Sequence, residues 1–140
     1  MTAAAVAGQS REVRLVEGLS RTQIVQYAGA SGDFNPLHHD EQFVQEQTPM
    51  PGIFAHGMLT MGMTGRVLTD WFGPESIVEY GARFVAQVWP GDTLTTTATI
   101  DNVHASGDAN ELDITVTTVN QSGGVVLTGS AKLRVDSEAG

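Results

Sequence analysis

The segment from Ala55 to Phe72 constrains the fold more than any other part of the chain. It is apolar nearly all round, interrupted by Arg66 and Asp70, and stopped by Gly73-Pro74. A helix that is apolar on every side must be covered on every side. Its two charges and its glycines (Gly57, Gly62, Gly65) exclude a membrane span. The cover comes from the C-terminal half of the chain, because after Pro74 the hydrophobic period changes to two. Val78, Tyr80, Ala82, Phe84, Ala86 and Val88 alternate with mostly polar neighbours as far as the Pro90-Gly91-Asp92 turn. Leu94, Thr96, Ala98 and Ile100 predict a second strand, and Leu112, Ile114 and Val116 a third. Ser122-Gly123-Gly124 marks a hairpin, with Leu127, Gly129, Ala131, Leu133 and Val135 on the fourth strand. Four meandering antiparallel strands after a buried helix mean α+β, a curved sheet wrapped around the long central helix.

Ahead of that helix, residues 12–16 read as a short strand. Ser20 caps a helix to about Ala28, with Gln23 completing a capping box. Gly29 to Pro36 breaks regular structure, and Asp40 caps a single turn to about Gln45. The chain is one domain over 1–140, with fraying expected at about 1–10 and 136–140. A helix-interior glycine costs ~1 kcal/mol relative to alanine. Gly62 and Gly65 share a face and are expected to serve close helix–sheet packing, whereas Gly57, in the first turn, can present a free N–H.

Composition narrows the function classes. Seven Lys+Arg stand against sixteen Asp+Glu, a net charge of −9. Duplex DNA and anionic membranes reward clustered cations, so neither is an expected partner. With no cysteine, disulfides, thiolate metal sites and cysteine nucleophiles are excluded. That composition fits a reducing compartment, and the stretch Met1–Gln9 lacks a signal-peptide core, so a cytoplasmic location is expected. Charged residues are 16% of the chain, against roughly 25% in average soluble domains. More surface than usual is therefore hidden, by a partner subunit or by a ligand tunnel.

The chemistry-bearing residues concentrate between Tyr27 and His38. Asp33 and His38 lie on a loop that Gly32, Asn35 and Pro36 restrict tightly. Such a loop can hold a carboxylate and an imidazole toward one point, as acid–base chemistry requires. Asp33 read alone also fits an Asx turn. His38-His39-Asp40 suggests a metal site, but adjacent histidines on an extended segment face opposite ways, so no metal is expected. In the second cluster, Ala55-His56-Gly57-Met58, a glycine at a helix start lets a carbonyl oxygen approach backbone N–H groups. His56 there is equally compatible with a structural hydrogen bond.

Taken together, Ser31-Gly32-Asp33-x-Asn35-Pro36-Leu37-His38 and Ala55-His56-Gly57-Met58-Leu59 resemble the two motifs of the MaoC-like dehydratases. These are the R-specific enoyl-CoA hydratases of the hot-dog fold, and Gly57–Gly62 is similar to mycobacterial (3R)-hydroxyacyl-ACP dehydratase catalytic subunits. The resemblance runs from about residue 12 to 135. It implies a single hot-dog domain that reversibly hydrates trans-2-enoyl thioesters of CoA or acyl carrier protein to (3R)-3-hydroxyacyl thioesters, without a cofactor. Asp33 and His38 match the family's water-activating pair, and Gly57 the glycine whose N–H polarises the thioester carbonyl. Asn35, Val44, Phe54, His56 and Met58 are the expected substrate-binding residues. Val44 stands where the family usually keeps a smaller side chain, and Pro49-Met50-Pro51-Gly52 alters the spacing between the motifs. The overhanging segment Phe43–Phe54 is thus expected to shape the acyl tunnel, with Val44 narrowing it. The resemblance further implies a homodimer, or a heterodimer with another hot-dog subunit. The alternatives on the same fold are a non-catalytic subunit and a thioesterase. A thioesterase needs a carboxylate on the central helix, where only Asp70, near its far end, is available.

Overall fold

Capping chemistry sets the helix boundaries in the computed structural model, which describes residues 4–137. Helix α1 spans Arg21–Ser31. Ser20 Oγ accepts from the Gln23 N–H at 3.0 Å, and the Gln23 side chain accepts from the Ser20 N–H at 2.9 Å. The helix runs past Ala28 because Gly29 stays helical, and the stop is Gly32, in the left-handed region at φ 75°. Helix α2 spans Glu41–Gln47, capped by Asp40, which accepts from the Phe43 N–H at 3.0 Å. Helix α3, Gly57–Phe72, ends at Gly73 with φ 88°.

The strands are β1 (Ser10–Val16), β2 (Ile77–Phe84), β3 (Leu94–Ser106), β4 (Ala109–Val119) and β5 (Val125–Asp136). They form one antiparallel sheet in the order β1-β3-β4-β5-β2. The expected four-strand meander is therefore a meander of β3, β4 and β5 only. β2 crosses over to pair with β5, and residues 85–93 form the irregular crossover instead of extending β2 to Val88. Their backbone groups are used elsewhere: the Val85 N–H donates to Val126 O, and Val88 O accepts from the Ala55 N–H, each at 2.8 Å. A bulge between Ile77 and Glu79 turns Ile77, rather than Val78, toward the core.

The sheet curls around α3. Val67 and Leu68 on the helix pack with Leu94, Ile100, Leu112, Ile114, Val116, Leu127 and Leu133, all buried. Fully buried hydroxyls tie the helix to the sheet, since Thr118 Oγ1 bonds Thr64 Oγ1 at 2.7 Å and Thr96 Oγ1 at 2.6 Å. Close helix–sheet packing explains Gly65, where an added Cβ would lie 2.9 Å from the Tyr80 ring. It does not explain Gly62, where a Cβ would meet nothing within 4 Å.

At the chain ends, where fraying was the expectation, the Gly8 N–H donates to Ile100 O at 2.7 Å and the Ile100 N–H to Gln9 O at 2.9 Å. Ser137 N–H donates to Asp108 O at 3.0 Å, and residues 1–3 and 138–140 lie outside the described residues. No helix among the described residues is long and apolar enough to cross a membrane.

Candidate active site

Short-range hydrogen bonds shape the loop between α1 and the 3₁₀ turn Pro36–His38. Ser31 Oγ accepts from the Asp33 N–H at 3.1 Å, Asp33 Oδ1 from the Asn35 N–H at 3.2 Å, and Asn35 Oδ1 from the Leu37 N–H at 3.0 Å. Asp33 is thus an Asx-turn residue and a candidate acid–base group at once, with Oδ2 left open. Asn35 caps the 3₁₀ turn that carries His38.

His38 is buried, and its Nδ1–H donates to Phe54 O at 2.7 Å. That bond leaves the lone pair on Nε2. Burial pushes the imidazole below its ordinary value, partly opposed by the bond to the Phe54 carbonyl. His56 adds to the lowering and Asp33 works against it. At neutral pH, His38 is therefore a neutral base. A carboxylate oxygen of Asp33 and ring nitrogens of His38 and His56 lie within 4.8 Å of one another. The Asp33–His38 separation is thus no more than 4.8 Å, and one water making two ~2.8 Å hydrogen bonds, which spans about 4.5 Å, can reach both residues.

These three side chains are also the arrangement nearest to a metal site among the described residues. The His38 and His56 rings stack at 3.8 Å, with 24° between their planes. Their in-plane lone pairs run side by side and do not converge on one tetrahedral ion. His56 Nε2–H is moreover committed to Asp33 O, at 3.0 Å.

A cavity of about 240 Å³ opens at the start of α3, bordered by Phe54, Gly57, Thr60, Phe84, Gln87 and Val126. Bonding to His56 O begins at the Leu59 N–H (3.1 Å), so the Gly57 N–H, at the positive end of the helix dipole, has no intrahelical partner. A Cβ at position 57 would come within 3.1 Å of the Phe84 ring, which lies over this backbone. Glycine is what lets that ring lie so close to the start of the helix.

The overhang is clamped from beneath. The Arg21 guanidinium grips both Glu41 carboxylate oxygens at 3.0 Å, and Glu41 Oε2 accepts from the Ile53 N–H at 3.0 Å. The Arg21 bond holds the Glu41 carboxyl below its ordinary value. This clamp fixes the segment ending at Phe54, whose carbonyl orients His38.

The structure sorts the remaining expected site residues. Phe54 borders the cavity and packs edge-on against His38. Val44 is fully buried and is not a cavity residue, because it faces inward from α2 and anchors that helix. Met58 does not border the cavity either, since the helical turn directs it outward, 56% exposed. His56 is only 2% exposed, so its role is played from behind His38 rather than on the cavity surface. Phe84, Thr60 and Gln87 are cavity residues that the sequence motifs do not point to. Phe84 carried a signal, being a large aromatic within the period-two run, whereas nothing in the sequence marks Gln87.

A curved antiparallel sheet wrapped around a buried helix defines the hot-dog fold, and here a carboxylate and an imidazole stand beside that helix's N-terminus. The MaoC-like domain family model matches residues 2–122, and the chain belongs to that family. It is 34% identical to an (R)-specific enoyl-CoA hydratase of Rhodospirillum rubrum, over 91% of this chain and 87% of the relative. It is 41% identical to 3-hydroxyacyl-thioester dehydratase Y of Mycobacterium tuberculosis over 47% of this chain, and 34% identical to enoyl-CoA hydratase ChsH3 of the same organism over 70%. The matches span only 24% and 32% of the lengths of those two relatives. Among solved structures, the unliganded R-hydratase PhaJ1 of Pseudomonas aeruginosa superposes with TM-score 0.81 at 25% identity, over 96% of this chain and 84% of that one. The ChsH1-ChsH2 complex of Mycobacterium tuberculosis gives TM-score 0.79 at 27% identity, over 93% and 98%.

Proposed function

We propose that the chain adds water reversibly to trans-2-enoyl thioesters, giving (3R)-3-hydroxyacyl thioesters. The observation that carries this reading is the spacing of Asp33 and His38 beside an unpaired helix N-terminal N–H. The names of the relatives support it. In this scheme Asp33 and His38 hold the water, and the Gly57 N–H donates to the thioester oxygen. The water oxygen bonds to Cβ as its proton passes to the pair, the double bond's electrons move toward the thioester oxygen, and a proton returns to Cα on the same face. His38 Nε2, neutral and unprotonated, is suited to take the first proton. The charge that gathers on the thioester oxygen meets the positive end of α3.

The acyl chain is assigned to the cavity under Phe54 and Phe84. The second copy in a homodimer is assigned to the surface by the start of α3, where Met58, Phe84 and Val85 are exposed. Thioester hydrolysis is disfavoured, because Asp70 is paired with Arg66 at 3.4 Å and exposed near the other end of α3. Asp33→Asn and His38→Ala are each expected to lower crotonyl-CoA hydration by ~10²–10⁴ while the chain stays folded. The assay follows loss of the enoyl absorbance together with release of free thiol. Hydration at the unmutated rate in either variant, or thiol release by the parent chain, would overturn the reading.

A further inference from the structure

We propose that His56 is a positioning residue, which holds the Asp33 backbone and the His38 ring in one fixed relation to the Gly57 N–H. The inference rests on the proposed hydration reaction and adds to it the part that sets its geometry. One buried side chain touches every component. Its Nε2–H donates to Asp33 O at 3.0 Å, fixing the loop that carries the carboxylate. Its ring lies flat on His38 at 3.8 Å, and Tyr27 of α1 closes the cluster edge-on at 4.9 Å. Gly57 is the next residue in the chain, so a displaced His56 displaces that N–H as well.

The identity of the residue supports this. His56 Nδ1 and Thr60 Oγ1 are the fully buried side-chain polar atoms without a partner among the described residues. A buried unpaired acceptor is costly. A position that served packing alone would shed that cost with phenylalanine or leucine. Histidine combines a flat face for His38 with a donor of the right reach for Asp33 O, and no apolar residue offers the second.

Two substitutions separate the functions. His56→Phe keeps a flat ring on His38 and removes the donor. His56→Gln keeps an amide donor near the reach of Nε2 and removes the ring. His38 is faced by His56 from the N-cap of α3 and by Asp33 and His39 from its own loop, with the Phe54 carbonyl at Nδ1. Two readouts are needed: kcat and KM across pH, and the His38 ring titration followed by NMR. In His56→Phe, kcat is expected to fall about tenfold or more with KM within about threefold, while the His38 titration moves up only by what the lost His56 charge contributes, less than in His56→Gln, because the ring still keeps water away. In His56→Gln, kcat is expected to stay within about threefold of the parent, while the His38 titration and the acid limb of the rate profile move up toward an ordinary histidine. Parent-level kcat in a folded His56→Phe variant would overturn the proposal, as would an unmoved His38 titration in His56→Gln. If the parent chain hydrates no enoyl thioester, the reaction assignment fails. The His38 titration and the Asp33 amide shifts of the two variants still decide whether His56 holds the pair.

Discussion

Gly62 and Gly65 lie on one face of α3, and the structure assigns them opposite responses to the same substitution. Alanine is favoured over glycine inside a helix by ~1 kcal/mol. At Gly62 an added Cβ meets nothing within 4 Å, so the whole gain should appear, a rise in Tm of about 2–4 °C for a chain of this size. At Gly65 the Cβ would lie 2.9 Å from Tyr80 Cε2. Tyr80 cannot swing aside freely, because its hydroxyl donates to Met61 O at 2.7 Å and burial pushes that hydroxyl up to about 12. Overpacking of this kind costs ~1–3 kcal/mol, which cancels or exceeds the propensity gain. Gly62→Ala is therefore expected to stabilise by about 1 kcal/mol, and Gly65→Ala to be neutral or destabilising by up to about 2 kcal/mol. Urea titrations followed by Trp71 and Trp89 fluorescence, run at two protein concentrations, measure both. A concentration-dependent loss at Gly62 would reveal an intersubunit contact. A loss at Gly62 independent of concentration, or equal effects at the two positions, would refute the packing argument.

Val44→Ala removes two methyl-sized groups from a fully buried site, and ~0.8 kcal/mol per group plus a cavity term makes a loss of about 2–3 kcal/mol in urea melts. Its chain-length profile should match the parent's, whereas Phe84→Ala, which opens the cavity, should raise kcat/KM for longer or branched enoyl chains relative to crotonyl-CoA. Because burial lowers the His38 value, kcat/KM should hold from neutral pH down past about 6.5 and fall only below it; Asp33→Asn should move that limb lower still, since Asp33 raises the His38 value. The same shift makes the unfolded chain take up the His38 proton first, so folding stability falls as pH drops below about 6.5, and His38→Gln should remove that part of the slope. Among the described residues, Arg14, Arg21, Arg66 and Arg134 are ion-paired and Arg11 stacks on Trp71, which leaves Arg83 and Lys132, and of these only Arg83 adjoins a cavity residue, Phe84, in the chain. Arg83→Glu should raise KM for a CoA thioester several-fold at low salt with little change in kcat, and added salt should shrink the difference.

The parts legible in the sequence are those decided over a few residues. The capping box at Ser20, the Gly73-Pro74 stop, the Ser122–Gly124 turn and the Asp33-x-Asn35-Pro36-x-His38 loop are local devices, and each is formed where its residues stand. What escaped reading depends on distant partners. The period of two in Val78–Val88 is compatible with pairing to β3 or to β5, and nothing in the alternation selects β5. That strand stops at Phe84, short of the alternation's end, because Val85 and Val88 give their backbone groups to β5 and to the entry of α3. Val44 is apolar on a short helix near the site, and a cavity wall and a core contact have the same sequence signature.

The site itself is assembled from polar contacts laid over an apolar scaffold, which explains why its two halves could be named separately but not joined. Asp33 and His38 are positioned by turns within their own loop, and Gly57 by the start of α3. Their relation to each other is set by bonds across the gap: Arg21 to Glu41, Glu41 to the Ile53 N–H, the Phe54 N–H to Leu37 O, and Phe54 O to His38. His56 closes the same gap from inside. None of the four residues Arg21, Glu41, Phe54 and His56 has a periodicity or spacing that betrays its partner. The large buried core, centred on Val67, Leu68 and the inner faces of β3, β4 and β5, holds the scaffold without them. Loss of the Arg21 clamp should therefore leave a folded chain whose Phe54 carbonyl no longer fixes the His38 tautomer, so that activity falls well before stability does.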